Sequence, residues 1–214
     1  MTSIDKLIAN TIREDVRAGH IYNVPDSSGY IKLDAMENPY QLPDALRAEL
    51  ARRLADAVLN RYPVPSYATL KEKIRATQGV PAGYDVILGN GSDEIISILC
   101  TACSRQDKRA VVLAPSPAFV MFQRSAQFAG MDYVGVPLKA DFSLDRAAML
   151  AAIAEHKPSL VFLAYPNNPT GNLYDEADMV AIIEALGENG IAVVDEAYQP
   201  FARTSFMDKL PQYP

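Results

Sequence analysis

Apolar residues recur along this chain in two rhythms. In Ser159-Leu-Val-Phe-Leu-Ala164 and Ile191-Ala-Val-Val-Asp195 they run almost without interruption, the pattern of strands buried on both faces. Arg109-Ala-Val-Val-Leu-Ala114 is a third such run, and Asp85-Val-Ile-Leu88 and Asp132 to Val136 read as further strands. Elsewhere the apolar spacing lengthens to three and four residues. Ile95 onward, Ala118 to Ala129, Leu144 to Ala154 and Asp175 to Leu186 read as helices, the second stopping at Gly130. The strand-helix unit recurs without hairpin signals, which predicts an α/β fold: a mostly parallel sheet with helices on both faces.

Before residue 85 the helical rhythm dominates. Ile4, Leu7, Ile8 and Ile12 give an amphipathic N-terminal helix, and His20 to Gly29 is an irregular segment rich in turn formers. Ile31 to Asp34 is a short strand candidate. Pro43 and Asp44 open a helix in which Leu46, Leu50, Leu54 and Val58 repeat every fourth residue, and Ser66 is placed to cap the next, which carries Leu70 and Ile74.

Polar residues gather where the apolar runs stop. Asp195 ends one strand and is followed by Glu196-Ala197-Tyr198; Tyr165-Pro-Asn-Asn-Pro-Thr-Gly171 ends another in a rigid turn that holds an amide side chain. Such strand ends are where open α/β sheets bind ligands. A carboxylate there needs a partner: a protonated ring nitrogen of a cofactor is one, an arginine or the cap of the next turn is another. Gly89-Asn-Gly-Ser-Asp-Glu94 joins a strand to a helix and presents backbone N–H groups to a phosphate, although Ser92-Asp93-Glu94 is also good capping chemistry without a ligand. Glu94 stands where a dinucleotide fingerprint would want glycine.

Pro166-Asn-Asn-Pro-Thr-Gly171 followed by Asp195-Glu-Ala-Tyr198 resembles the fold-type I pyridoxal-phosphate aminotransferases, and among them the histidinol-phosphate aminotransferase branch. Asn60-Arg-Tyr-Pro63 and Met36-Glu-Asn-Pro-Tyr40 are similar to two more of its signatures, the second with Met36 and Gln41 replacing the family's Asn and Gly. The resemblance implies pyridoxal phosphate as cofactor, with Asp195 keeping the pyridinium nitrogen protonated and Asn168 and Tyr198 bonding the phenolic oxygen. It implies Ser92 and Asp93 at the phosphate, and Phe119, two residues after Pro117, stacked on the ring. Tyr62 is implied to reach the phosphate from the partner subunit of a homodimer with shared sites, and Tyr22 and Asn38 to contact substrate. A phosphorylated amino-acid-like donor and a 2-oxo acid are the implied substrates: L-histidinol phosphate with 2-oxoglutarate, in histidine synthesis. An aromatic aminotransferase and a threonine-phosphate decarboxylase of the same fold are the alternatives.

Composition fits an ordinary globular protein: 214 residues, 49% hydrophobic, with 20 basic against 26 acidic side chains and a formal charge of -6. That balance argues against nucleic acid or an anionic membrane as partner. No apolar run approaches the roughly 18 residues a membrane span requires, Met1 to Arg17 is too charged for a secretory signal, and cytoplasm is the expected compartment. Cys100 and Cys103 sit late in an apolar helical run and are expected as core residues rather than a redox pair, and two histidines give a metal site nothing to be built from.

One family feature has no counterpart. The Schiff-base lysine follows the Asp-Glu-Ala-Tyr motif by about thirty residues in the resembling family, whereas no lysine here stands in that Ser-Lys context and Lys209 lies too close to Asp195. The catalytic lysine is therefore expected beyond Pro214. The resemblance divides the chain into an N-terminal arm with part of the small domain (1–42) and the N-terminal portion of the large cofactor-binding domain (43–214). As it stands the chain is expected to be inactive alone, and a non-catalytic cofactor-binding or dimerisation module is the competing reading.

Overall fold

The computed structural model describes residues 2–19, 26–33, 35, 37–63, 66–105 and 107–213. They fall into two compact units, one of Met1–Tyr22 with Ile87–Pro214 and one of Asn23–Val86.

In the larger unit four strands make one sheet among the described residues: β1 (Val111–Ser116), β2 (Asp132–Pro137), β3 (Leu160–Ala164) and β4 (Ile191–Asp195). Their order is β2-β1-β3-β4 and every pair is parallel. Side-chain alternation sorts the core into two layers. Val112, Ala114, Leu160 and Phe162 pack with Ile96 and Cys100 of α5 (Gly91–Cys103) and Phe122 and Ala126 of α6 (Val120–Phe128). Leu113, Val161 and Leu163 pack on the other side with Met149 and Ile153 of α7 (Arg146–His156) and Met179, Ile182 and Leu186 of α8 (Glu176–Leu186). The expected α/β architecture, a parallel sheet covered on both faces, is what forms. All five residues of β3 are buried, which explains its uninterrupted apolar run.

Local chemistry sets the element ends. Asp145 accepts the Ala148 N–H at 3.0 Å to start α7, and Asp175 accepts those of Ala177 and Asp178 at 2.8 and 3.2 Å to start α8. Gly190 leads into β4 because a Cβ there would lie 2.3 Å from the Pro158 carbonyl oxygen. Cys100 is fully buried and Cys103 partly so, both as free thiols in the core; burial, then the neighbouring Cys103, pushes the Cys100 thiol up to about 11.

Four expectations are corrected. Helix α5 begins at Gly91 rather than Ile95, because Gly91 supplies φ +80° and the Glu94 carboxylate reaches back to the Asn90 backbone N–H and side-chain amide. Asp85–Leu88 carries no strand, since no described strand lies beside it to complete a ladder. Residues 31–33 are likewise irregular, and Asp34 lies outside the described residues. Ser66 does not cap: the helix α4 (Ala68–Gln78) follows Tyr67 in a left-handed conformation.

The N-terminal helix α1 (Ser3–Thr11) forms as its spacing predicts, closed by a capping box between Thr2 and Asp5, yet Ile4 and Leu7 stay 67% and 64% exposed. Between α1 and the short helix α2 (Glu14–Arg17), the Arg13 guanidinium donates to the carbonyls of Gln127 and Phe128 at 2.8 and 3.0 Å, a cation at the C-terminus of α6. The smaller unit holds α3 (Asp44–Ala55) and α4. Leu46, Leu50 and Leu54 of α3 are exposed, and Arg75 of α4 donates to the Tyr84 carbonyl and Asp85 carboxylate at 2.9 and 2.8 Å.

Among the described residues strand β4 is paired only with β3. Beside it opens an apolar cavity of about 540 Å³, walled by Leu186, Ile191, Val194, Phe206 and Leu210. An unpaired edge next to exposed apolar surface is a template for association. The purified 214-residue chain is therefore expected to self-associate as concentration rises in sedimentation velocity; a monomer that unfolds in one cooperative transition would contradict this.

Candidate functional site

The path of the chain creates the crevice. From β1 the chain moves outward to β2, then returns past β1 to lay down β3 and β4 on the other side. Helix α6 leaves β1 toward one face of the sheet, whereas α8 leaves β3 toward the other. The loops after β1 and β3 thus diverge, and a gap opens outside the carboxyl ends of the two strands.

Register brings the third loop level with them. Ala164 pairs with Asp195, and the Tyr165 N–H donates to the Asp195 carbonyl at 2.8 Å. The turn after β3 and the residues after β4 consequently start side by side. Ser92, Phe119, Ala164, Pro166, Asn168, Asp195, Ala197 and Tyr198 line one small cavity of about 20 Å³. Five of the nine residues expected at the site meet there.

The remaining four are placed differently. Asp93 is exposed in the first turn of α5 and does not line the cavity, but its charge acts on Asp195. Tyr62 and Asn38 belong to the Asn23–Val86 unit. Tyr62 is 99% exposed there, and the Asn38 amide oxygen accepts the Tyr40 N–H at 3.0 Å in a local turn. Tyr22 lies outside the described residues.

Two of the cavity residues are held from behind. Asp195 Oδ1 accepts the Ala197 N–H at 2.9 Å, which fixes the carboxylate's plane. Burial raises the Asp195 pKa above its ordinary 3.8; the Ala197 bond opposes this, and the Asp93 carboxylate adds to it. Phe119 meets Phe122 edge-on, with ring centroids 5.8 Å apart at 89°, and Phe122 stacks on Phe162 of β3 at 4.5 Å. A column of rings therefore runs from the core to the cavity wall.

Two residues of the quoted motifs proved to have structural work that spacing alone did not reveal. Asn167, not Asn168, is fully buried, and its amide nitrogen donates to the Pro117 carbonyl at 3.1 Å and the Thr170 hydroxyl at 2.7 Å. It ties the turn after β3 to the loop that carries Phe119. Glu196 turns away from the cavity and holds the segment around Ser205. The paired asparagines were the available signal, since two adjacent amides in a rigid turn seldom face the same way.

Among the described residues no group of His, Cys, Asp and Glu could hold a metal ion, and no helix is long and apolar enough to cross a membrane. What the cavity offers is a partly buried acid, an amide, a phenol, an aromatic face and the N-terminus of a 13-residue helix.

Comparison with known proteins agrees with that chemistry. The family described as Aminotransferase class I and II matches residues 28–212. The chain belongs to the class I and II aminotransferases. A curated relative named histidinol-phosphate aminotransferase 2, from Cupriavidus pinatubonensis, is 59% identical over 217 residues, covering 100% of this chain and 59% of its own length. Histidinol-phosphate aminotransferase 1 of Ralstonia nicotianae is 56% identical, with 99% and 57% covered. The chain thus spans somewhat over half the length of these relatives.

Among solved aminotransferases, the histidinol-phosphate enzyme of Clostridium acetobutylicum superposes with a TM-score of 0.69 over 82% of this chain and 51% of its own, at 20% identity, a likeness of fold. That of Sinorhizobium meliloti, solved in complex with pyridoxal-5'-phosphate, gives 0.61 over 71% and 40%, at 28% identity. Membership of the family implies pyridoxal phosphate. The donor set fits it: Asp195 suits a ring cation, Asn168 and Tyr198 a ring oxygen, Phe119 a ring face, and the open α5 N-terminus, where nothing lies within 4 Å of a Cβ built on Gly91, an anion.

Desolvation works against an ionised Asp195 in the folded chain. A carboxyl whose pKa is raised in the folded state favours folding only while protonated, so its contribution declines as pH rises from the ordinary 3.8 through the raised value. Asp195→Asn is expected to be more stable than the parent chain at pH 7 in urea unfolding, with the difference shrinking as pH falls toward 4. A variant less stable at pH 7 would contradict this assignment.

Proposed function

We propose that these residues form the cofactor-gripping part of an aminotransferase that moves an amino group from L-histidinol phosphate to 2-oxoglutarate in cytoplasmic histidine synthesis. The observation that carries the reading is the single cavity shared by Asp195, Asn168, Tyr198, Phe119 and Ser92. Bound there, pyridoxal phosphate supplies a protonated ring that draws negative charge away from the amino acid's α-carbon.

The protein's part is to hold that ring in its useful state. Asp195, partly desolvated and already bonded at Oδ1, gains most from a cation and so keeps the ring nitrogen protonated. Asn168 and Tyr198 bond the ring oxygen from two neighbouring strand ends. Phe119, fixed by Phe122, covers one face of the ring and excludes water from it. Backbone N–H groups of Ser92 and Asp93 take the phosphate at the α5 N-terminus; the Asp93 carboxylate would repel a phosphate, so its share is the N–H.

The reading extends to a homodimer in which Tyr62 of a second copy reaches the same phosphate, while Tyr22 and Asn38 contact substrate. The substrate follows the name carried by relatives 56–59% identical. The test is an assay of the complete gene product that carries this sequence, with 2-oxoglutarate as acceptor. Glutamate is expected to form with L-histidinol phosphate in strong preference to phenylalanine. Preference for phenylalanine, or carbon dioxide release from a phosphorylated threonine, would overturn the substrate assignment.

A further inference from the structure

Glu196 sits between two residues of the cavity wall, yet it faces the other way. Successive residues at the end of β4 point to opposite sides. Asp195 and Tyr198 line the small cavity, whereas Glu196 lines the apolar cavity beside β4 together with Val194, Phe206 and Met207. A carboxylate among such neighbours is costly unless its oxygens are satisfied. Both are: Oε2 accepts the Ser205 hydroxyl at 2.8 Å, and Oε1 accepts the Phe206 backbone N–H. The Ser205 oxygen in turn accepts the Met207 N–H at 3.0 Å, at the head of the 3-10 turn Met207–Gln212.

These bonds close residues 197–204 into a loop whose two ends are pinned together. Its far end is also anchored in the core: Phe206 is 7% exposed and meets Tyr165 edge-on, with centroids 6.2 Å apart. Tyr165 directly precedes Pro166 and Asn168 of the cavity wall. Tyr198 is the second residue into this loop, with its ring 6.4 Å from that of Phe201. The Tyr198 ring thus packs within its own loop, and its position depends on how firmly that loop is closed.

We propose that Glu196 is a positioning residue: by clamping Ser205 and Phe206 it closes the 197–204 loop and thereby holds the Tyr198 phenol at the cavity. The proposal rests on the cofactor reading of that cavity. It predicts that Glu196 contributes to cofactor binding through Tyr198, without touching the cofactor.

The test is a double-mutant cycle on the 214-residue chain, titrated with pyridoxamine phosphate, a form of the cofactor that needs no lysine, and followed by cofactor fluorescence. Tyr198→Phe is expected to weaken binding by about tenfold in the parent, as loss of one hydrogen bond to a charged oxygen does. In a Glu196→Ala background the same change should have almost no further effect, and amide exchange at Phe206 should become fast. Glu196→Gln, which can still accept from Phe206 and donate to Ser205, should restore most of the coupling. Where Glu196→Ala does not fold, Ser205→Ala removes one arm of the clamp and takes its place in the cycle. Equal Tyr198→Phe penalties in both backgrounds would overturn the role of Glu196 and leave the cofactor reading standing. Absence of pyridoxamine phosphate binding by the parent chain would overturn the cofactor reading, and the proposal with it.

Discussion

The structure depends on two parallel strands ending at the same level. Pairing of Ala164 with Asp195, sealed by the Tyr165 N–H on the Asp195 carbonyl, makes an asparagine-bearing turn and an acid-bearing turn start side by side. A slip of one residue would send Asp195 to the face where Glu196 now lies, among apolar side chains. Burial of every β3 residue makes such a slip expensive, because it would have to occur against a strand packed on both faces.

Around that constraint the remaining parts act as braces. The Phe119–Phe122–Phe162 column carries the rigidity of the core to the cavity. Asn167 joins the loops that follow β1 and β3, and Glu196 closes the loop that follows β4. The residues that face the cavity bear the cost of this arrangement. Asp195 is less acidic than a free aspartate because it is removed from water, and it has an acidic neighbour in Asp93. A site that holds its acid in such a place is poised for a cation and is less comfortable without one.

Much of this was legible in the residues themselves. Uninterrupted apolar runs marked β1, β3 and β4 because a strand covered on both faces leaves no room for polar side chains. Asp175 marked the start of α8 and Gly130 the stop after α6. Strand ends and a proline-rich turn placed an acid, a phenol and an amide together, and the resemblance of the two motifs singled out Asn168, Asp195 and Tyr198. What escaped was long-range. Spacing could not tell Asn167 from Asn168, since the difference lies in the Pro117 carbonyl fifty residues away. It could not foresee that Asp85–Leu88 would lack a neighbouring strand, because pairing is a property of the sheet and not of the run. Nor could helical spacing reveal that the apolar stripe of α1 would remain exposed while Arg13 carried the contact to α6.

In the proposed function Asp195 keeps a bound pyridine ring protonated. Nitrogen-15 chemical shifts of ring-labelled pyridoxamine phosphate bound to the protein report that proton directly. A pyridinium signal is expected to persist to a pH well above the ring's own titration, and to convert to the neutral form in Asp195→Asn. A neutral ring nitrogen in the complex with the parent protein at pH 7, or a protonated one that survives loss of the Asp195 carboxylate, would contradict it.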